Sequence, residues 1–259
     1  MKKVCLLLIV FTLLSTTINA QEVNSKSTIK FEGNKITLKE SKIEIDQNGF
    51  PKQIQTFYKE TTAPTDLLYE NIHFHFVRKS DGKNINLKNS GVKFLSTDKL
   101  KSAKKVKWSA TSENDSLKME ITAILSFDGS LLYNVNVIAL QDLSLKDVTM
   151  HIPLIKTVPT RMLGFGVPEG DRPEKVEWKW DGDFKNENGA WLGNQDAGMK
   201  YVLEKGDWGN KGKGGVSIGI KGSSMLANNY TGSHEMKKGD IRHYDFKLLI
   251  KPLNSTQKR

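Results

Sequence analysis

The sequence predicts an all-β protein, a large antiparallel β-sandwich of the supersandwich kind with little helix. Three observations carry the prediction. Apolar residues recur at every second position in one short run after another. Gly, Asn and Asp residues separate the runs as turns would. No segment holds three turns of a capped helical apolar period, and no internal repeat suggests a propeller or solenoid.

The chain opens on "MKKVCLLLIVFTLLSTTINA", with a basic start at Lys2 and Lys3, an apolar run from Val4 to Leu14 and a polar stretch closing on Ala20. That order is the layout of a secretory signal peptide, with cleavage expected between Ala20 and Gln21. The expectation is an exported protein, periplasmic or extracellular. The single cysteine, Cys5, would leave with the signal, so the mature fold would owe nothing to disulfides. No later segment approaches the ~20 apolar residues of a membrane span. The expected division is a signal peptide over 1–20, one sandwich domain over 21–254 and a tail over 255–259. A chain of that length buries enough apolar surface to fold unaided.

The strands follow in order. "KIEID" (42–46) and "IHFHFV" (72–77) alternate first. In "LKMEITAILSF", Leu117, Met119, Ile121, Ala123, Leu125 and Phe127 share one face, and Lys118, Glu120, Thr122 and Ser126 share the other. Asp128-Gly129-Ser130 supplies a turn, and "LLYNVNVIAL" (131–140) returns as the second arm of a hairpin. Val148, Met150, Ile152 and Leu154 alternate again, then "GVSIGI" (215–220), then Tyr244, Phe246, Leu248 and Ile250. Past residue 155, Gly, Trp and acidic residues concentrate. Long loops are expected through 164–190 and 204–215, and function with them.

The net charge is +10, or +8 without Lys2 and Lys3. Basic residues are scattered, with local density only in "KLKSAKKVK" (99–107). An exported chain without a recognition helix is not a nucleic-acid binder. An acidic glycan or an anionic envelope surface fits the charge, as does plain solubility.

Several motifs lead nowhere. "GDWGNKGKGG" (206–215) lacks the spacing of a phosphate loop and reads as a connection between strands. "GFGVPEG" (164–170) opens no helix and reads as a turn. "DGDFKNEN" (181–188) collects oxygen donors without an EF-hand spacing. His73 and His75 point to one face of a strand, but the sequence places no third ligand beside them, so neither a metal nor a cofactor is expected. Acids of the kind that hydrolyse sugars are plentiful (Glu169, Asp171, Glu177, Asp181, Asp183, Glu187, Asp196), yet no pair of them stands out.

Three of the five tryptophans fall in "VEWKWDG" (176–182) and "FKNENGAWLGNQDAGM" (184–199). Trp178 and Trp180 face the same way on a strand, and two such indoles can seat the C–H face of a pyranose. The same rings also make good core. Burial is expected for at least one of the two, with Trp191 closing the cluster from the next strand. The candidate contacts for a carbohydrate or a partner are Trp178, Trp180, Asp181, Trp191, Asn194, Asp196 and Trp208.

The set "RPEKVEWKWDG … GAWLGNQDAGMKYVL … GKGGVSIGI … NNYTG … MKKGDIRHYDFKLLIKPLN", with "DGSLLYNVNVIALQDLSLKDVTMHIPL" (128–154) before it, resembles the N-terminal β-sandwich domain of glycoside hydrolase family 123-like proteins of Bacteroidetes. The likeness runs over roughly residues 120–254; residues 21–119 share only the strand pattern. The resemblance implies a sandwich placed before a (β/α)₈ barrel, in which an adjacent Asp–Glu pair hydrolyses β-linked N-acetylgalactosamine with help from the substrate. This chain holds no Asp-Glu dipeptide and reaches "KPLNSTQKR" where a barrel of ~250 residues would begin. No catalytic residue carries over. The functional expectation is a non-catalytic, carbohydrate-associated accessory module, truncated or split from its barrel. Its partner would be a glycan or a catalytic barrel domain or protein. The alternative is a secreted glycosidase acting on N-acetylhexosamine-containing glycans with a site in the 164–215 loops.

Overall fold

Alternation decides nearly every strand. The computed structural model describes residues 29–57, 63–95, 104–183 and 185–251. The expected signal peptide with Cys5, the 255–259 tail and most of the 99–107 basic run lie outside these residues. The first strands are β1 (Lys30–Glu32), β2 (Lys35–Thr37), β3 (Ser41–Ile45), β4 (Pro51–Thr56) and β5 (Thr65–Asp66). They are followed by β6 (His73–Arg78), β7 (Lys88–Phe94), β8 (Lys105–Glu113), β9 (Leu117–Ser126), β10 (Ser130–Ala139) and β11 (Leu143–Ile155). The second half adds β12 (Arg161–Gly164), β13 (Val167–Asp171), β14 (Lys175–Lys179), β15 (Gly189–Gly193) and β16 (Gly198–Gly206). The last four are β17 (Gly215–Lys221), β18 (Ser224–Tyr230), β19 (His234–Met236) and β20 (Ile241–Ile250). One short 3₁₀ turn, Asn210–Gly212, is the helical content of the described residues.

These strands form three antiparallel sheets. The first is β1-β2-β3-β4-β5; the second, nine-stranded, is β13-β12-β15-β16-β20-β10-β9-β8-β7. The third is β14-β17-β18-β11-β19, with β6 on the free side of β11. The sandwich predicted from alternation is therefore present. Along β9, Leu117, Met119, Ile121, Ala123 and Leu125 are buried, whereas Phe127, assigned to the same face, lies in the turn and is 47% exposed. Val148, Met150, Ile152 and Leu154 of β11 and Tyr244, Phe246, Leu248 and Ile250 of β20 all point inward.

One apolar core joins all three sheets. Phe50, at the end of the β3–β4 turn, stacks on Phe74 of the third sheet at 5.5 Å and tilts against Tyr133 of the second at 5.3 Å. Its neighbour Gly49 is held at φ +85°, and a Cβ there would stand 2.7 Å from that of Ala110. The bare glycine lets its carbonyl accept hydrogen bonds from Trp108 Nε1 at 2.8 Å and the Tyr133 hydroxyl at 3.2 Å.

The expectation of a long loop over 164–190 is corrected. Strands β13 and β14, with the ends of β12 and β15, break it into shorter connections, and the "GFGVPEG" turn tightens through Phe165 (φ 51°) and Gly166 (φ 77°) into a hairpin. The many glycines there do not signal loop. Gly164, paired with Ala190, lies so close to β15 that a Cβ on it would meet the Gly189 carbonyl at 2.2 Å. The second expected loop is real, from residue 207 to 214.

Candidate functional site

The glycine-rich segment folds back as a loop between β16 and β17. Gly206 starts the bend at φ +116°, where a Cβ would collide with the His243 carbonyl at 2.0 Å. Asp207 then exchanges two hydrogen bonds with His243, donating its N–H at 2.7 Å and accepting through Oδ2 at 2.9 Å. Asn210 anchors the tip by donating to the carbonyls of Thr231 (2.7 Å) and Ser233 (2.9 Å). The loop lies against Trp180: Cβ atoms added at Gly209 and Gly214 would come within 3.5 and 3.1 Å of its ring. At Gly214 the added carbon would also strike the Trp208 carbonyl at 1.8 Å. The glycine run permits this close approach to two indoles.

Between the loop, β19 and the start of β20 lies an open cleft of about 840 Å³. Four cations and two anions line it. Lys79 pairs with Glu235 at 2.6 Å, and Arg242 stands 3.7 Å from Asp207. Ser144 donates to the second oxygen of Glu235. Lys211 and Lys213 have no carboxylate partner among the described residues; Lys213 reaches the Ser233 hydroxyl at 3.2 Å. Two N–H donors of the lining, Trp180 Nε1 and Arg242 Nε, are buried without an acceptor. Such donors cost free energy until something accepts from them. At the back, His234 meets the Thr231 hydroxyl at 2.8 Å. Burial, seconded by the Arg242 charge, lowers its pKa to about 4, so it is a neutral imidazole at pH 7.

The structure sorts the candidate contacts into two places. Trp178, Trp180, Asp181 and Trp208 gather at the loop. Trp178 is buried and meets Trp180 edge-on at 4.9 Å, while Trp180 remains only partly buried. Asp181 follows in the turn after β14, its carboxylate beside Gly212. Trp208 is buried, its Nε1 donating to the Asp245 carbonyl at 2.9 Å. The other three residues sit at the β15–β16 hairpin. Asn194 Oδ1 accepts the N–H groups of Asp196 and Ala197, both at 2.9 Å, which makes it a turn former. Trp191 is buried and bonds the Lys251 carbonyl at 3.1 Å. It does not close the tryptophan cluster as expected, because on β15 its neighbours Ala190 and Leu192 take the core face. Phe165 closes it instead, at 5.2 Å from Trp178.

Three of the candidate acids, Glu169, Glu177 and Glu187, have local partners. Glu169 faces Arg161 at 3.6 Å, Glu177 pairs with Lys175 at 3.0 Å, and Glu187 accepts the Gly166 N–H at 2.9 Å.

A group that sequence reasoning missed lies on the outer face of the third sheet. His151 on β11 stands directly across from His73 on β6. His73, His75 and His151 therefore share one half-buried face, with their ligating nitrogens all within 4.8 Å. This corrects the reading that left His73 and His75 without a third ligand. The signal was available: Met150 and Ile152 point inward, so His151 points outward, like the histidines flanking Phe74. Burial first, then the neighbouring histidines, lowers the pKa of His151 to about 3 and pulls that of His75 down as well.

Residues 29–207 and 200–252 match the family described as glycoside hydrolase 123, third domain. The chain belongs to that family. The third-domain description agrees with the resemblance in family and in sandwich fold, and it numbers the module third where the resemblance put it N-terminal. No curated protein matches the chain significantly in sequence. Among solved structures, a Salmonella typhimurium protein provisionally assigned as a mutarotase superposes with a TM-score of 0.51 at 5% identity, over 84% of this chain and 90% of that chain. A provisionally assigned aldose 1-epimerase from Escherichia coli K12 gives 0.49 at 9% identity, over 87% and 99% of the two chains. A family 36 α-galactosidase from Geobacillus stearothermophilus gives 0.49 at 7% identity, over 86% of this chain and 40% of its own. At these identities the first superposition speaks to fold alone.

Proposed function

We propose that this third domain is a non-catalytic, carbohydrate-associated accessory module of a glycoside hydrolase, and that it holds an acceptor-rich saccharide in the cleft beneath the 207–214 loop. One observation carries the reading. Trp180 Nε1 and Arg242 Nε are buried donors without acceptors, and they line a cleft in which cations outnumber anions. A ligand offering hydroxyl, carboxylate or sulfate oxygens would satisfy both donors and meet Lys211 and Lys213 at the rim. The half-buried indole adds an apolar surface for a sugar ring. Asp181 stands at the edge of the cleft, beside Gly212. Trp178 and Trp208 support it from behind, and Trp191, Asn194 and Asp196 serve the β15–β16 hairpin. Catalysis would reside in a barrel domain or protein, and the module, residues 21–254, would work outside the cytoplasm after losing residues 1–20.

The test is retention on an immobilised polysaccharide of alternating N-acetylgalactosamine and uronic acid. The chain should be retained and eluted by salt, and Lys211→Ala with Lys213→Ala should elute earlier. Equal retention of the double variant would overturn the cleft. Turnover of a chromogenic β-N-acetylgalactosaminide by the purified chain would overturn the non-catalytic role and promote a glycosidase site in the 164–215 loops.

A further inference from the structure

We propose that His73, His75 and His151 form a binding site for one divalent transition-metal ion of the zinc type on the outer face of the third sheet. None of the three lines the loop cleft, so the site stands apart from the proposed saccharide site.

The backbone already does the placing. His73 and His75 lie two apart on β6 and so share a face, and the β6–β11 register sets His151 opposite His73. The nearest nitrogens, His73 Nε2 and His75 Nε2, are 2.9 Å apart, and all three ligating atoms fall within 4.8 Å. Tetrahedral zinc, with Zn–N near ~2.0–2.1 Å, sets its ligand nitrogens about 3.3–3.4 Å apart. The present spacings bracket that value, and small side-chain rotations on a fixed backbone would reach it.

Orientation points the same way. His73 Nδ1 lies 2.8 Å from the Asn71 carbonyl, which can only accept, so Nδ1 carries the proton and Nε2 presents its lone pair. A backbone carbonyl holding the far nitrogen is the usual outer support of a metal-bound histidine. With His73 Nε2 so committed, a single proton from His75 fills the 2.9 Å gap. A metal ion would take its place once His75 carries its proton on Nδ1 instead, which frees the Nε2 lone pair as a ligand and keeps the imidazole neutral.

A second observation concerns the neighbour of His151. Asn228 is paired with His151 across β11 and β18, and its buried Oδ1 completes no hydrogen bond of good geometry, though it lies near enough to act on the His151 ring. Three protein ligands leave the fourth position of a tetrahedral ion to water, and a metal-bound water donates strongly. Asn228 Oδ1 is the waiting acceptor beside it. Charge on the adjoining trough is balanced, Glu174 and Glu177 against Lys175 and Lys221. Affinity would therefore rest on the imidazoles, which selects zinc, copper or nickel over calcium or magnesium.

The experiment is titration of the untagged chain, stripped with EDTA, by Zn²⁺ in a calorimeter, with Co²⁺ as a spectroscopic probe. One equivalent should bind saturably, the melting temperature should rise with Zn²⁺ and fall back with EDTA, and Co²⁺ should give the intense visible bands of a tetrahedral nitrogen site. His151→Ala should weaken binding at least tenfold, whereas His243→Ala, at an exposed histidine elsewhere, should leave it unchanged. Absence of a saturable equivalent, or equal affinity in His151→Ala, overturns the site. Should His151→Ala fail to fold, the Co²⁺ spectrum of the unaltered chain decides, since the weak bands of a six-coordinate oxygen ion would overturn it equally.

Discussion

Trp208 and Trp180 meet at one glycine-rich loop and differ in a single respect. Trp208, carried by the loop, is 1% exposed, and its N–H donates to the Asp245 carbonyl. Rings of Tyr244 and Phe74 surround it at 5.0 and 6.2 Å. Trp180, beneath the loop, packs edge-on against Trp178, but its N–H finds no acceptor. The first ring is complete as core. The second is complete only when something outside the fold accepts from it, and that is what separates a packing residue from a candidate contact. Exposure alone does not make the distinction, because both N–H groups are shielded from water.

Trp208→Ala should have the largest effect, about 3–5 kcal/mol from lost transfer energy and a cavity. In a chain of this size the melting temperature should fall by about 10 °C, and an unchanged melting curve would show that the ring is not core. Next comes acid. His234 titrates near 4 in the folded chain, against about 6.5 unfolded. Its contribution is fully present above pH 6.5 and is lost as pH falls toward 4, because the unfolded chain takes up the proton first. The loss should reach about 2–3 kcal/mol. His151, lowered further, acts in the same window and extends it downward. Urea melts at pH 7 and pH 4 should show the drop, and His234→Asn should narrow the gap between them; an equal gap would mean that this imidazole is solvated.

Gly214→Ala tests the loop between the two rings. Its new carbon would stand 1.8 Å from the Trp208 carbonyl, so the loop must move. A cost of about 1–3 kcal/mol is expected, together with weaker saccharide retention. Full stability and full retention would show that the close approach is dispensable. The smallest stability effect belongs to Trp180→Phe, which keeps a ring and removes the orphaned N–H. Stability should stay within about 0.5 kcal/mol, since an unsatisfied donor is removed along with some contact area. Saccharide retention should nonetheless fall. A stability loss as large as that of Trp208→Ala would make Trp180 core and end the comparison.

Much of this was legible in the chain. The period of two in 117–125, 148–154 and 244–250 assigned the inward residues correctly, because a strand with one face on a core must alternate, although on β11 Thr149 and Pro153 of the other face are buried as well. It failed where a side chain met a strand end, as at Phe127, which leaves its face in the turn. Glycine misled over 164–190. There it permits close strand pairing, as at Gly164 against β15, and composition does not distinguish that use from a loop. The tryptophan pair was correctly read as sharing a side. Sequence spacing could not tell their depths, since depth depends on the 207–214 loop returning from thirty residues downstream.

Alone, the sequence carried the sandwich, most of its inward residues and the likeness to a hydrolase-associated family. Local sterics and hydrophobic period act over a few residues, and a string records them directly. The tertiary structure decided which groups meet. It set His151 opposite His73, more than seventy residues away in the chain, through the register of β6 on β11. It also left Trp180 and Arg242 facing one cleft without acceptors. Partnership across such distances is fixed by strand order and register in the assembled sheet, and no local pattern in the chain encodes it.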